Sequence, residues 1–183
     1  MARKTLSFLI MASAVGALSY NFTKKAMAQS NQGNDVVQNL DIQRYMGDWY
    51  DIAHLPQRFQ KGMVGVMAHY KYDADKNEVE VTNTGIKGGF DGKVSKIVGH
   101  ARIVDSITNA KLKITFFWPF TGDYWVLDVA DDYSWALVGN GGRKDFWILS
   151  RTAKMSDNTK KLLLDKARAR GYDVSKLIYT PQR

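Results

Sequence analysis

The side chains best suited to proton transfer or metal ligation in this 183-residue sequence are its three histidines, and they stand apart. No two of His54, His69 and His100 fall at the spacing that places ligands on one helical turn or one zinc loop. Each is expected at the surface or at a rim. There is no cysteine, which removes disulfides, thiolate metal sites and a cysteine nucleophile. No G-x-S-x-G, H-E-x-x-H or P-loop occurs. The glycine-rich run Gly139-Asn140-Gly141-Gly142 precedes Arg143 and a strand-like segment, not a helix, so it is expected to turn a hairpin and not to cradle phosphate. No enzymatic activity and no cofactor are expected. The chemistry that remains is binding through apolar and aromatic surface, with aromatics at 12%.

The elements that would present such a surface are short. From Trp49 onward, runs rich in β-branched and aromatic residues alternate with clusters of Gly, Asp and Asn. Strands are predicted over 47–55, 64–73, 78–86, 92–104, 110–118, 123–130, 133–139 and 145–151. In Lys111-Leu112-Lys113-Ile114-Thr115-Phe116 every second residue is apolar, and Glu78-Val79-Glu80-Val81 repeats the pattern, so one face of each strand meets water and the other a core. Eight such strands joined by local turns predict an all-β fold: an eight-stranded antiparallel up-and-down β-barrel, in which closure removes the exposed edges. A barrel of that size holds one small ligand. The period then changes. Ser156-Asp157-Asn158-Thr159 starts a helix, Leu162, Leu163 and Ala167 fall on one side, and Gly171 ends it, predicting one C-terminal α-helix over 156–170 packed on the outside. Leu177-Ile178-Tyr179 reads as a short further strand.

Charge and the N-terminus bound the partners and the compartment. The basic residues of the first 28 positions (Arg3, Lys4, Lys24 and Lys25) supply half of the net charge of +8. The body is only mildly basic and has no long cationic run, so no nucleic-acid partner is expected. Met1 to Ala28 has a basic start, an apolar stretch from Leu6 to Leu18 and the small-x-small pattern Ala26-Met27-Ala28. It reads as a signal peptide, or as an N-terminal anchor if left uncut. Residues 29–38 read as a flexible leader and 39–183 as one domain. The expected location is the periplasm or cell envelope of a bacterium, in association with the outer membrane or free of it.

Three stretches carry a family resemblance. Gly47-Asp48-Trp49 matches a G-x-W signature, and Asp128-Val129-Ala130-Asp131-Asp132-Tyr133 resembles a second signature, though Ala130-Asp131-Asp132 stands where T-D-Y is usual. Trp147-Ile148-Leu149-Ser150-Arg151-Thr152 matches a third, with its arginine. In this order they resemble the lipocalin family, in its bacterial branch with the apolipoprotein D-like and plant temperature-induced lipocalins as cousins. The resemblance implies a lipocalin calyx with the Arg151 guanidinium laid across the Trp49 indole at the closed end, a contact worth about 0.5–2 kcal/mol. It also implies a fatty acid or lysophospholipid ligand, bound and transported without conversion. The lipidated cysteine of that branch has no counterpart here.

Alternation anchored on Trp49 and Arg151 then assigns the ligand-binding wall: Ala53, Ala68, Tyr70, Val81, Ile97, Ile114, Phe116, Tyr124, Val126, Ala136, Val138, Trp147 and Leu149. The same parity puts His69 outside. The phenols of Tyr70 and Tyr124 are candidates to orient a carboxylate or phosphate. Phe117-Trp118-Pro119-Phe120 is the most exposed-looking apolar segment and is assigned to the mouth or to a lip in peripheral contact with a membrane. Two alternatives stay open: an envelope scaffold, acting through homodimerisation or membrane docking, and a calyx for another hydrophobic ligand such as a tetrapyrrole.

Overall fold

The computed structural model describes residues 36–183; the expected signal peptide (1–28) and most of the expected leader lie outside the described residues. The end of that leader, expected to be loose as far as residue 38, is docked. Val36 is buried, and the Val37 amide donates to the Val126 carbonyl at 3.0 Å. Two apolar side chains, Val36 and Leu40, join the main core, which explains why the chain is ordered ahead of the first strand.

A single helical turn, α1 (Ile42–Tyr45), comes next. Its start is fixed by the Asp41 carboxylate, which accepts from the amides of Gln43 and Arg44 at 3.0 and 3.2 Å. Then come β1 (Gly47–His54), β2 (Met63–Asp73), β3 (Glu78–Lys87), β4 (Lys93–Ile103), β5 (Lys111–Phe117), β6 (Phe120–Val129), β7 (Trp135–Gly139) and β8 (Phe146–Ser150). Each is antiparallel to the next, and β1 pairs with both β2 and β8, so the sheet closes. The eight-stranded up-and-down barrel expected from the sequence is present. Because the strands alternate in direction, the β1–β2, β3–β4, β5–β6 and β7–β8 connections share one end of the barrel. The remaining loops, with α1, share the other.

Strand ends differ from expectation where a turn is tighter or wider than its composition suggests. Trp118-Pro119 is a two-residue loop with Phe117 opposite Phe120, so β6 begins at Phe120 and not at 123. β7 begins at Trp135, because Tyr133 has φ +60° and the Asp132 carboxylate accepts from the Ser134 amide at 3.0 Å, extending the turn.

Helix α2 (Asp157–Ala169) starts where the Ser156 hydroxyl accepts from the Thr159 amide at 3.1 Å, and ends before Gly171 at φ +83°. It buries Leu163 and Ala167 and is tied to β6 by Lys166 and Arg170, which reach the Asp128 carboxylate at 2.9 and 3.0 Å. A short β9 (Ile178–Tyr179) pairs with the end of β1.

Candidate functional site

Inward-facing side chains fill one half of the barrel and leave the other hollow. The hollow is a cavity of about 740 Å³ that opens at the β5–β6 end. Of the thirteen wall positions read from strand parity, ten line it: Ala68, Tyr70, Val81, Ile97, Ile114, Phe116, Tyr124, Val138, Trp147 and Leu149.

Three do not. Ala53 lies past a bulge in β1, where the register with β8 shifts between Asp51 and Ala53. It therefore stands opposite Ile148 instead of Trp147 and takes the outward face. Val126 and Ala136 have the expected parity, being cross-strand partners of Val138 and Leu149, yet both are completely enclosed in the packed core. Parity gives the face of a residue but not its depth along the barrel.

The floor is made of three phenols. Tyr124 donates to the Tyr70 hydroxyl at 3.0 Å and shares a 2.8 Å hydrogen bond with Tyr45 from α1. Tyr45 stacks on Tyr70 with ring centroids 5.8 Å apart and tilts against Trp49 at 5.0 Å. Burial pushes the Tyr70 hydroxyl up to about 12, and burial together with the neighbouring phenols holds Tyr45 and Tyr124 well above the ordinary range. These hydroxyls are neutral donors committed largely to one another.

Beneath them, the Arg151 guanidinium lies 3.8 Å from the Trp49 ring centroid. It donates to the carbonyls of Asp48 and Arg44 at 2.8 Å each and to that of Tyr133 at 3.3 Å. Gly47 has φ +89°, and a Cβ there would come within 3.4 Å of that guanidinium, so the close approach of strand and arginine needs glycine.

Several wall residues escaped the sequence reading. Asp51 has the same inward parity as Trp49, but a carboxylate was not expected on an apolar wall; it is buried and lines the cavity. Its Oδ2 accepts from Gln60 at 2.8 Å and lies 3.0 Å from His54 Nδ1, while its Oδ1 is buried with no protein partner. Gln60, from the β1–β2 loop, also accepts from the Trp147 indole at 3.0 Å. His54 is thus not at the surface or a rim: beyond the bulge it is buried beside Asp51 and Thr180. His69 and His100 are exposed, as expected, next to Asp48 and Glu78. In β2, Val66, Met67 and Ala68 line the cavity in succession, which plain alternation forbids. The pairing with β3 shifts between Val64 and Met67, next to Gly65 at φ +58°; that glycine was the available signal.

The mouth is aromatic. Phe59, Phe117 and Phe120 line the cavity and also face solvent, and Trp118 at the hairpin tip is 88% exposed. Arg58 and Lys61, both exposed, flank Phe59.

Residues 40–182 match the sequence family described as a lipocalin-like domain. The chain is 44% identical over 157 residues to temperature-induced lipocalin-1 of Arabidopsis thaliana, covering 81% of this chain and 82% of that protein. It is 39% identical over 151 residues to the outer membrane lipoprotein Blc of Escherichia coli (strain K12), covering 82% of this chain and 84% of that one. Among solved structures, insecticyanin from the tobacco hornworm Manduca sexta superposes with a TM-score of 0.64 at 24% identity, over 81% of this chain and 84% of that chain, a likeness of fold.

Proposed function

Because the chain belongs to the lipocalin family, we propose that it is a non-enzymatic carrier that binds a long-chain lipid, a fatty acid or a lysophospholipid, within its barrel. The observation that carries this reading is the cavity of about 740 Å³, walled largely by aliphatic and aromatic side chains and open at one end. Its size falls within the range of about 300–1,000 Å³ occupied by small-molecule sites. Each buried methylene contributes about 0.8 kcal/mol, so a long acyl chain outweighs the cost of ordering it. Two residues at the floor, Tyr70 and Tyr124, would meet the far end of the ligand, and the mouth would hold the end that enters last.

The site of action is the bacterial cell envelope, a reading supported by the signal-like first 28 residues and by the relative named as an outer membrane lipoprotein. The 183 residues contain no cysteine, so a thioether-linked lipid anchor has no attachment point among them. Contact with a membrane would instead be made by the aromatic mouth, with Arg58 and Lys61 facing anionic headgroups. Trp118→Ser/Phe120→Ser is expected to lower binding to anionic vesicles by about tenfold at unchanged fold, measured by vesicle co-sedimentation. Unchanged binding would remove the lip from the reading.

The test of the carrier function is fluorescence titration with the neutral probe N-phenyl-1-naphthylamine, followed by displacement with oleate and lysophosphatidylcholine. Saturable one-to-one binding is expected, lost in Ala68→Trp, which fills the cavity from its wall. A delipidated, folded parent that takes up no probe would refute the lipid reading.

A further inference from the structure

The inner face of β3 and β4 ends in two lysines. Asn83 and Gly85 of β3 line the cavity, and so do their cross-strand partners in β4, Ile97 and Ser95. The β3–β4 register runs without a shift from Glu78 opposite Arg102 to Lys87 opposite Lys93. Period-two alternation therefore puts Lys87 and Lys93 on that same face, next after Gly85 and Ser95, at the rim of the mouth. Met63, which stands opposite Lys87 in β2, also lines the cavity. The turn between the lysines is tight: Gly88 and Gly89 take φ +89° and +93°, and a Cβ on Gly92 would overlap the Lys87 carbonyl.

Directly opposed residues of an antiparallel pair have Cβ atoms about 4.5–5.5 Å apart, so like charges there repel. Both lysines are exposed, and neither ammonium has an acceptor among the described residues. The one acid of the turn, Asp91, is paired instead with Arg183 at 3.3 Å. Elsewhere on the wall, Asp123 is held by Lys113 at 2.6 Å, and Asp145 accepts from the side-chain amides of Gln57 and Asn140. Two positive charges thus stand together at the mouth with no carboxylate to balance them.

We infer that Lys87 and Lys93 form the headgroup clamp of the ligand site, taking the carboxylate or phosphate of an anionic lipid whose tail fills the hollow. This rests on the lipid-carrier reading and adds to it the charge of the headgroup and the residues that hold it. An anion between two opposed cations removes their repulsion and gains charge-assisted contacts. The flexible lysine stem lets each ammonium follow headgroups of different size. The cavity favours the same orientation. Asp51, Asp123 and Asp145 line it, and no lysine, arginine or histidine stands among its described lining residues, so an anion carried inward leaves cations for carboxylates. The acyl chain enters first and the charge stays at the rim.

The test uses the folded, delipidated chain at neutral pH and low salt, with displacement of N-phenyl-1-naphthylamine by laurate, dodecyl phosphate and monolaurin. Lys87→Gln and Lys93→Gln are each expected to weaken laurate and dodecyl phosphate about two- to fivefold, the scale of an exposed ion pair, and the double variant about tenfold. Monolaurin and the probe should bind as they do to the parent, and the urea midpoint should not fall, since each substitution removes a repulsion. Lys96→Gln makes the same change of net charge on the outer face of β4, opposite Thr84, and should leave all three ligands unchanged. An equal loss in Lys96→Gln would reveal a diffuse surface field and overturn the clamp. Anion affinities unmoved by both lysine substitutions would overturn it too and leave the carrier function standing. Inorganic phosphate, compared with chloride at equal ionic strength, separates a free ion from a headgroup. A phosphate-induced rise in the unfolding midpoint that needs both lysines, with lipid affinities unmoved by their substitution, would assign the pair to the free ion and overturn its role for lipid. A protein that takes up no probe at all would overturn the carrier reading and this inference with it.

Discussion

At one end of the barrel, Trp49 is wholly enclosed, Tyr45 leans on it, Arg151 covers it, and nearly every polar atom nearby has a partner. At the other end, Trp118 and Phe120 stand in solvent and the wall leads into a hollow where Asp51 and Asn83 each keep an oxygen without a donor. The two halves are made from the same strands and the same kinds of side chain. They differ in what completes them: α1, the residues from Val36 onward and Arg151 cap the first, whereas hairpins, the β1–β2 loop and the C-terminal segment with β9 surround the second without closing it. Stability is therefore expected to concentrate at the closed end and ligand affinity at the open one, since a filled cavity cannot accept a ligand and an empty one contributes fewer contacts.

The comparison breaks most readily at the closed end. Trp49→Ala is expected to cost about 3–5 kcal/mol in denaturant unfolding, because the indole is fully buried and supports the arginine. A loss below about 1 kcal/mol would show that this end does not hold the fold.

Raising the pH should act through the phenols next. Tyr70 keeps its proton up to about 12 in the folded protein against an ordinary 10.0, so its contribution is fully present below pH 10 and is lost as the pH climbs toward 12. Urea midpoints followed across this window should fall by on the order of 2 kcal/mol in stability, and by less in Tyr70→Phe. Gly47→Ala should cost about 1 kcal/mol or more, since an L side chain is strained at φ +89° and meets Arg151. The smallest change in stability is expected at the open half: Ala68→Trp should shift it by less than about 1 kcal/mol while abolishing probe binding. A large destabilisation by Ala68→Trp would mean that the hollow is part of the packed core.

Local patterning made most of the framework legible. Alternation in Lys111–Phe116 and Glu78–Val81 marked half-buried strands, and Ser156 with Gly171 bracketed the helix within one residue at each end. The Trp49–Arg151 contact was implied by the family signatures and is present at 3.8 Å. The errors fall where the period-two rule is interrupted. A bulge turned Ala53 outward and brought His54 inside, and a shift at Gly65 placed three successive residues of β2 on the cavity. Asp51 is a different case: its parity is inward although the wall assignment did not include it, and Gln60 and His54, brought in by a loop and a bulge, make the burial of its carboxylate tolerable.

The sequence by itself determined the strand order, the faces of regular strands and the closed end, because these depend on residue type at fixed local spacing. Tertiary structure alone decided how deep each inward side chain lies, where the packing stops and the hollow begins, and which buried acceptors are left without donors. Those properties depend on residues distant in the chain meeting in one volume, and no local period encodes them.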